Sequence, residues 1–206
     1  MLMLLCSAAL PSAAAPDSTR ADADWILRTL AQPAPMRTDF VELRGSPMLK
    51  APLRLQGEYR RPDNTTLVRE VRDPYVETTT LRQGQASIAR PGKPVRNFAL
   101  SRAPELAQLQ AGFGALLSGD RALLETQYQL VPQGTRQQWT LLMTPLDSKL
   151  KTQLQGITLH GGGEELRCIE TRPAKGDLQR TLLGSAATSA KANATVDALA
   201  TLCRGG

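Results

Sequence analysis

An α+β fold built on a single curved antiparallel sheet of about eleven strands is predicted by three features of the 206-residue sequence: long stretches of alternating apolar and polar residues, turn residues that punctuate them at short intervals, and runs of helical period before, between and after them. A sheet with one apolar face must bury that face, and helices are the available cover. No G-x-G-x-x-G string, P-loop or βαβ alternation is present, which argues against a nucleotide-binding α/β fold.

The elements follow in order. From Asp17 to Gln32, Trp25, Ile26, Leu27 and Leu30 fall at near-helical spacing behind Ser18 and Thr19, either of which can cap a helix, and Pro33 ends the run. From Arg37 to Leu100 the period becomes two. Phe40, Glu42 and Arg44 alternate with Val41 and Leu43, and Leu53, Leu55, Gly57 and Tyr59 share a face. Turn signals at Arg61-Pro62-Asp63-Asn64, Arg72-Asp73-Pro74, Gln83-Gly84 and Arg90-Pro91-Gly92-Lys93-Pro94 divide this stretch into about six strands of a meander.

Between Ala103 and Glu125 helical spacing returns, with Leu106, Leu109, Phe113, Leu116 and Leu117 on one broad side. That side reads equally as plain core or as a lid over an apolar cavity. Strands are expected again at 126–131, 139–143, 156–160, 165–171 and 177–183, with a helical turn over 148–154 and a last helix over 186–203.

Composition is that of a soluble globular protein: 41% hydrophobic, 4% aromatic and 21% charged residues. The net charge of +6 comes from arginines scattered through strands, without the basic stripe interleaved with aromatics that nucleic-acid binders carry. No nucleic-acid partner is expected. An anionic membrane surface, an anionic ligand or an ordinary solvated surface remain as readings of that charge.

The first fifteen residues, MLMLLCSAALPSAAA, form an apolar stretch too short to span a bilayer and end on an A-x-A pattern at Ala13 and Ala15. Residues 1–15 are therefore expected to be a signal peptide, leaving 16–206 as one domain in the periplasm. Cys6 lacks the small preceding residue that lipidation needs. The two remaining cysteines, Cys168 and Cys203, are expected to pair in an oxidising compartment and to pin the C-terminal helix to a late strand.

Little catalytic chemistry is on offer. The single histidine, His160, precedes Gly161-Gly162-Gly163 and reads as a strand-end residue at a hairpin turn rather than a general base. Without C-x-x-C or converging histidines, no metal or cofactor is expected, and the chain is not expected to be an enzyme.

Four strings, in their order and spacing, resemble the LolA family of periplasmic lipoprotein carriers, especially its distant LolA-related branch: Asp39-Phe40-Val41-Glu42; Leu55-Gln56-Gly57-Glu58-Tyr59-Arg60-Arg61-Pro62; Leu116-Leu117-Ser118-Gly119-Asp120; and Trp139-Thr140-Leu141 with Thr144-Pro145. The resemblance implies a half-open antiparallel barrel whose concave apolar face is covered by helices. It would take acyl chains of a lipoprotein or lipid from an inner-membrane exporter and pass them to an outer-membrane acceptor, acting as a monomer. The family's lid-holding arginine falls on Arg61, whose fork of fixed donors suits carbonyl acceptors; the plainer reading of Arg61 is the start of the turn at Pro62. Phe40, Leu55, Tyr59, Leu109, Phe113, Leu116, Leu117, Trp139 and Leu141 are the expected cavity and lid residues. A second reading of the same resemblance is a lipid or lipoprotein sensor that regulates a membrane partner.

Overall fold

The computed structural model describes residues 19–45, 52–102 and 119–205. Helix α1 (Ala23–Leu30) leads into a meander of six strands, β1 (Met36–Arg44), β2 (Leu53–Asp63), β3 (Thr66–Asp73), β4 (Glu77–Arg82), β5 (Gln85–Ala89) and β6 (Arg96–Ala99). A short 3-10 turn (Leu100–Arg102) follows, and then helix α2 (Arg121–Glu125) opens the second half. There β7 (Tyr128–Thr135), β8 (Gln138–Pro145), the single turn α3 (Ser148–Lys151), β9 (Leu154–Gly162), β10 (Glu165–Pro173) and β11 (Gln179–Leu183) precede helices α4 (Gly184–Ser189) and α5 (Val196–Arg204).

All eleven strands form one antiparallel sheet in the order 6-5-4-3-2-1-11-10-9-8-7. The first strand therefore lies in the middle, paired on one side with β2 and on the other with β11 through Phe40 opposite Leu183 and Val41 opposite Leu182. Strands β6 and β7 are the free edges, so the barrel is half open, and the chain from Leu100 to Gln127 leads from one edge to the other.

Alternation along the strands sorts the core into two clusters. Phe40, Leu55, Tyr59, Leu67, Val71, Leu81, Trp139, Leu141, Leu159, Ile169 and Leu183 share the inner face with Ile26, Leu27 and Leu30 of α1 and Leu124 of α2. Val41, Leu43, Cys168 and Leu182 point outward and pack with Ala186 and Ala187 of α4 and Leu199 and Cys203 of α5. Helices α1 and α2 cover the concave face, and α4 and α5 cover the outer one, because residues Val41, Leu43 and Leu182 make a short second apolar stripe at the centre of the sheet that needs its own cover.

Several boundaries differ from the sequence reading. Helix α1 begins at Ala23 rather than near Asp17: the Asp22 carboxylate accepts from Trp25 N at 2.8 Å, and just before it Arg20 bridges to Thr135 of β7, holding the chain extended. The expected last helix is two helices, interrupted over 190–195 where Thr195 caps α5 by accepting from Ala198 N. His160 lies within β9, not at a turn, because β9 continues through Gly162. The expected middle helix, with Leu109, Phe113, Leu116 and Leu117, lies outside the described residues.

Candidate functional site

The inner face draws buried side chains from both halves of the meander, and Phe40, Leu55, Tyr59, Trp139 and Leu141 all lie buried in it. At its β8–β9 side, Gly161 leaves room for the Trp139 indole, which lies where a Cβ would stand, and the Trp139 Nε1 donates to Gly163 O at 3.0 Å. At its β1–β2 side the Phe40 and Tyr59 rings meet at 4.7 Å between centroids. Gly57 faces the Glu70 carbonyl so closely that any side chain there would collide with β3 backbone.

Among the described residues, α1 with α2 beside it is the helical cover of this face. Its two ends are held differently. Before the N-terminus, backbone bonds tie the chain to β7 and the β7–β8 turn: Ala21 N donates to Gly134 O at 3.2 Å and Arg136 N to Thr19 O at 2.8 Å. The Arg136 guanidinium also stacks 5.3 Å from the Trp25 ring centroid. Past the C-terminus the hold is a side chain: Arg61, buried on β2, donates from Nη1 to Gln32 O at 2.7 Å and from Nη2 to Asn64 Oδ1 at 3.0 Å. From its place in the chain before Pro62, Arg61 thus meets a carbonyl just past the end of α1. Gly119, in the left-handed region at φ 67°, comes up against Ala31 and Leu27 O, and Arg121 Nη1 meets Asp24 Oδ2 at 2.8 Å, which joins α2 to α1.

Sequence reasoning passed over a polar cluster inside the apolar face. Glu42, buried, accepts from Arg44 Nη2 at 2.6 Å and Arg69 Nη2 at 2.7 Å, and the Arg69 guanidinium lies 4.9 Å from the Phe40 ring centroid. Burial by itself would raise the Glu42 carboxyl, but the two guanidiniums outweigh it and hold the group below the ordinary carboxylate range. The Tyr59 hydroxyl is pushed up to about 12, first by burial and then by the Glu42 charge. The available signal was the Phe40-x-Glu42-x-Arg44 alternation, which sets two charges on the apolar side of β1; the Asp24 to Arg121 pair, 97 residues apart, had no such signal.

On the outer face His160 Nε2 stands 3.2 Å from Glu170 Oε2, and Arg180 reaches Glu170 Oε1 at 2.6 Å. The His160 bond first, and Arg180 with it, lowers the Glu170 carboxyl to about 2. Cys203 Sγ lies in the same neighbourhood but is bonded to Cys168, so this trio offers a metal two free ligands rather than three.

No curated protein sequence matches the chain. Among solved structures it is similar to a LolA superfamily protein from Nitrosomonas europaea, with 12% identity over 80% of this chain and 91% of that one and a TM-score of 0.40. It is also similar to LprF from Mycobacterium bovis, with 14% identity over 81% and 94% and a TM-score of 0.38. A further similarity is to the MucA/MucB complex from Pseudomonas aeruginosa, with 20% identity and a TM-score of 0.42; it covers 79% of this chain and 56% of that one, little more than half its length. The sequence profile of the family described as outer membrane lipoprotein carrier protein LolA-like matches residues 13–206. Since that match takes in nearly the whole chain, the protein belongs to the LolA-like outer membrane lipoprotein carrier family.

Proposed function

We propose that this chain is a carrier: it binds the acyl chains of a lipoprotein or lipid on its inner face and ferries them through the periplasm from an inner-membrane exporter to an outer-membrane acceptor. The observation that carries the reading is the way α1 covers that face, hinged by backbone at one end and latched by the single side chain of Arg61 at the other. Family membership supports the same reading. Export by residues 1–15 and a periplasmic setting are part of the proposal, and the Cys168–Cys203 disulfide suits an oxidising compartment. Arg61, Phe40, Leu55, Tyr59, Trp139 and Leu141 are its proposed lid and cavity residues, together with Leu109, Phe113, Leu116 and Leu117 from the sequence.

The magnitudes favour displacement. Ile26, Leu27 and Leu30 contribute about 2 kcal/mol each by burial, roughly 6 kcal/mol together as an upper value. A sixteen-carbon chain hidden from water gains on the order of 12 kcal/mol at about 0.8 kcal/mol per CH₂. A ligand that pushes α1 aside therefore recovers more than the helix loses. Release requires the reverse, and every interaction made only in the closed form lowers the ligand's net affinity. The bond from Arg61 to Gln32 O, charged and buried, has that role and is worth about 1.5 to 3 kcal/mol.

The test follows directly. Arg61→Leu should retain a fluorescent fatty-acyl probe about tenfold or more longer than wild type, while Arg61→Lys should recover part of the release rate. Unchanged release in Arg61→Leu would remove the latch from the mechanism. Mass spectrometry of lipids that co-purify from the periplasm tests the cargo. A sensor would hold such a ligand without handing it to acceptor membranes, so a transfer assay separates that alternative.

A further inference from the structure

The two ends of the sheet differ in what their connections expose. At one end the turns are short and polar: Asn64-Thr65 between β2 and β3, Gln83-Gly84 between β4 and β5, Arg136-Gln137 between β7 and β8, and Gly163-Glu164 between β9 and β10. At the other end the connections are longer and carry apolar tips. Tyr75 and Val76 stand between β3 and β4, Val95 between β5 and β6, and Leu146 after β8, with relative exposures of 39% to 56%. Antiparallel order puts all four at the same end, since β4 and β6 begin there and β8 stops there. No connection of the polar end exposes a large apolar side chain among the described residues.

Lysine follows the same division. Of the five lysines among the described residues, Lys93, Lys149, Lys151 and Lys175 stand on connections of the apolar end, all exposed, and Lys191 alone lies elsewhere, between α4 and α5. With Arg44, Arg90 and Arg96, the first of them at the end of β1, they make seven cations against the carboxylates of Asp73, Glu77, Asp147 and Asp177, an excess of three. Glu77 is paired with Arg90, and Asp147 caps α3 by accepting from Leu150 N. Charge alone does not separate the ends, because Arg82 and Arg136 stand at the other. The coincidence of exposed tyrosine and valine with flexible point charges does: an aromatic hydroxyl and small apolar tips enter the headgroup region of a bilayer, and lysine stems lie along it with their ammonium groups in the phosphate layer.

From this juxtaposition we infer that the end of the sheet carrying Tyr75, Val76, Val95 and Leu146 is a docking rim for an anionic phospholipid bilayer. The tips insert shallowly, the lysines engage lipid phosphates, and the sheet stands end-on to the membrane. Scattered exposed apolar residues are ordinary; four gathered on the connections of one end beside four lysines fit a surface that is anionic outside and greasy beneath. The rim does not depend on the carrier reading, since a chain that takes up no acyl ligand can still dock.

Flotation with phosphatidylcholine vesicles, with and without phosphatidylglycerol, tests it. Wild type should float with the phosphatidylglycerol vesicles, less so as salt rises, and should stay with the soluble fraction when they are absent. Lys149→Glu with Lys151→Glu, and separately Val76→Asp with Val95→Asp, should each weaken binding at least tenfold. Arg37→Glu with Arg82→Glu makes the same charge change at the polar end and should leave binding within about twofold. Val76→Ser with Val95→Ser, a milder pair, keeps the test sound if the aspartates lower the melting temperature. The inference is overturned by failure of wild type to float with either vesicle, by equal loss in the polar-end pair, or by full binding in both valine pairs.

Discussion

The inner and outer covers of the sheet centre are made of similar material and fastened in opposite ways. On the outer face, α4 and α5 are locked: Cys203 is bonded to Cys168 of β10, Arg54 donates to the carbonyls of Ala190, Lys191 and Ala192, and Glu165 accepts from both Ser185 N and Ser185 Oγ at 2.7 Å. On the inner face, α1 is tied by backbone bonds ahead of its first turn, by the Asp24 to Arg121 pair and the Arg136 to Trp25 stacking along it, and past its last turn by Arg61, with no covalent link to the sheet across the face. One cover is bonded covalently to the sheet, and in the proposed function the other is the one that is let go. The difference teaches that burial by itself does not distinguish a lid from a core helix; the fastenings do.

The largest expected effect breaks the covalently bonded side. Replacing Cys203 with Ser frees a closure between residues 35 apart and should lower unfolding free energy by about 3 to 4 kcal/mol in urea titrations, while leaving acyl-probe binding within about twofold. Loss of probe binding in proportion to stability would mean that the two faces are not independent.

Next in size is a matched pair. Leu27 of α1 and Leu199 of α5 are each only 1% exposed, so truncation to Ala removes the same atoms from equally buried sites. Leu199→Ala should cost about 3 kcal/mol globally, as expected for a leucine in a fixed core. Leu27→Ala should cost less than half of that in global unfolding, because the hinged helix can lift and re-settle, and it should instead speed amide exchange across α1. Equal global losses would show that α1 is as fixed as α5. The Arg61→Leu change falls at or below the Leu199→Ala loss, about 1.5 to 3 kcal/mol at most, and its exchange signature should be confined to the C-terminal turn of α1 and Gln32.

Most of the sheet was legible because alternation survives in each strand: Phe40 and Val41 on opposite faces, or Cys168 and Ile169, are readable from sequence alone. Six strands before the middle segment and five after it follow from that pattern and the turn residues between them. What was not legible has a common cause. The extended stretch ahead of α1, the acceptor of Arg61 and the clamp of Arg54 all involve backbone groups, which every residue carries and no sequence marks. The break between α4 and α5 was hidden because an alanine-rich stretch reads as helix until Thr195 takes the cap. His160 was misplaced for another reason: Gly161 and Gly162 imitate a turn, yet Gly161 stays in β9 to make room for Trp139.

The smallest effect separates the faces by pH. Glu170 on the outer face has its carboxyl lowered to about 2 from 4.5, through the His160 bond first and Arg180 with it. A group whose folded value is depressed adds stability that is present above its unfolded value and is lost as pH falls toward the folded one. Glu170 should therefore stabilise fully above about pH 4.5 and progressively less down to about 2. The site is partly solvated, so the contribution is a fraction of what a dry pair would give. Glu170→Gln should flatten the slope of stability against pH in that window, with amide exchange in α1 unchanged. The Glu42 carboxylate, held below its ordinary range by Arg69 and Arg44 on the inner face, would keep its own share of the slope in this variant. A Glu170→Gln protein whose α1 exchange accelerates as pH falls faster than in wild type would show that the outer ion pair reaches through the sheet to the lid, and the independence of the two covers would fail.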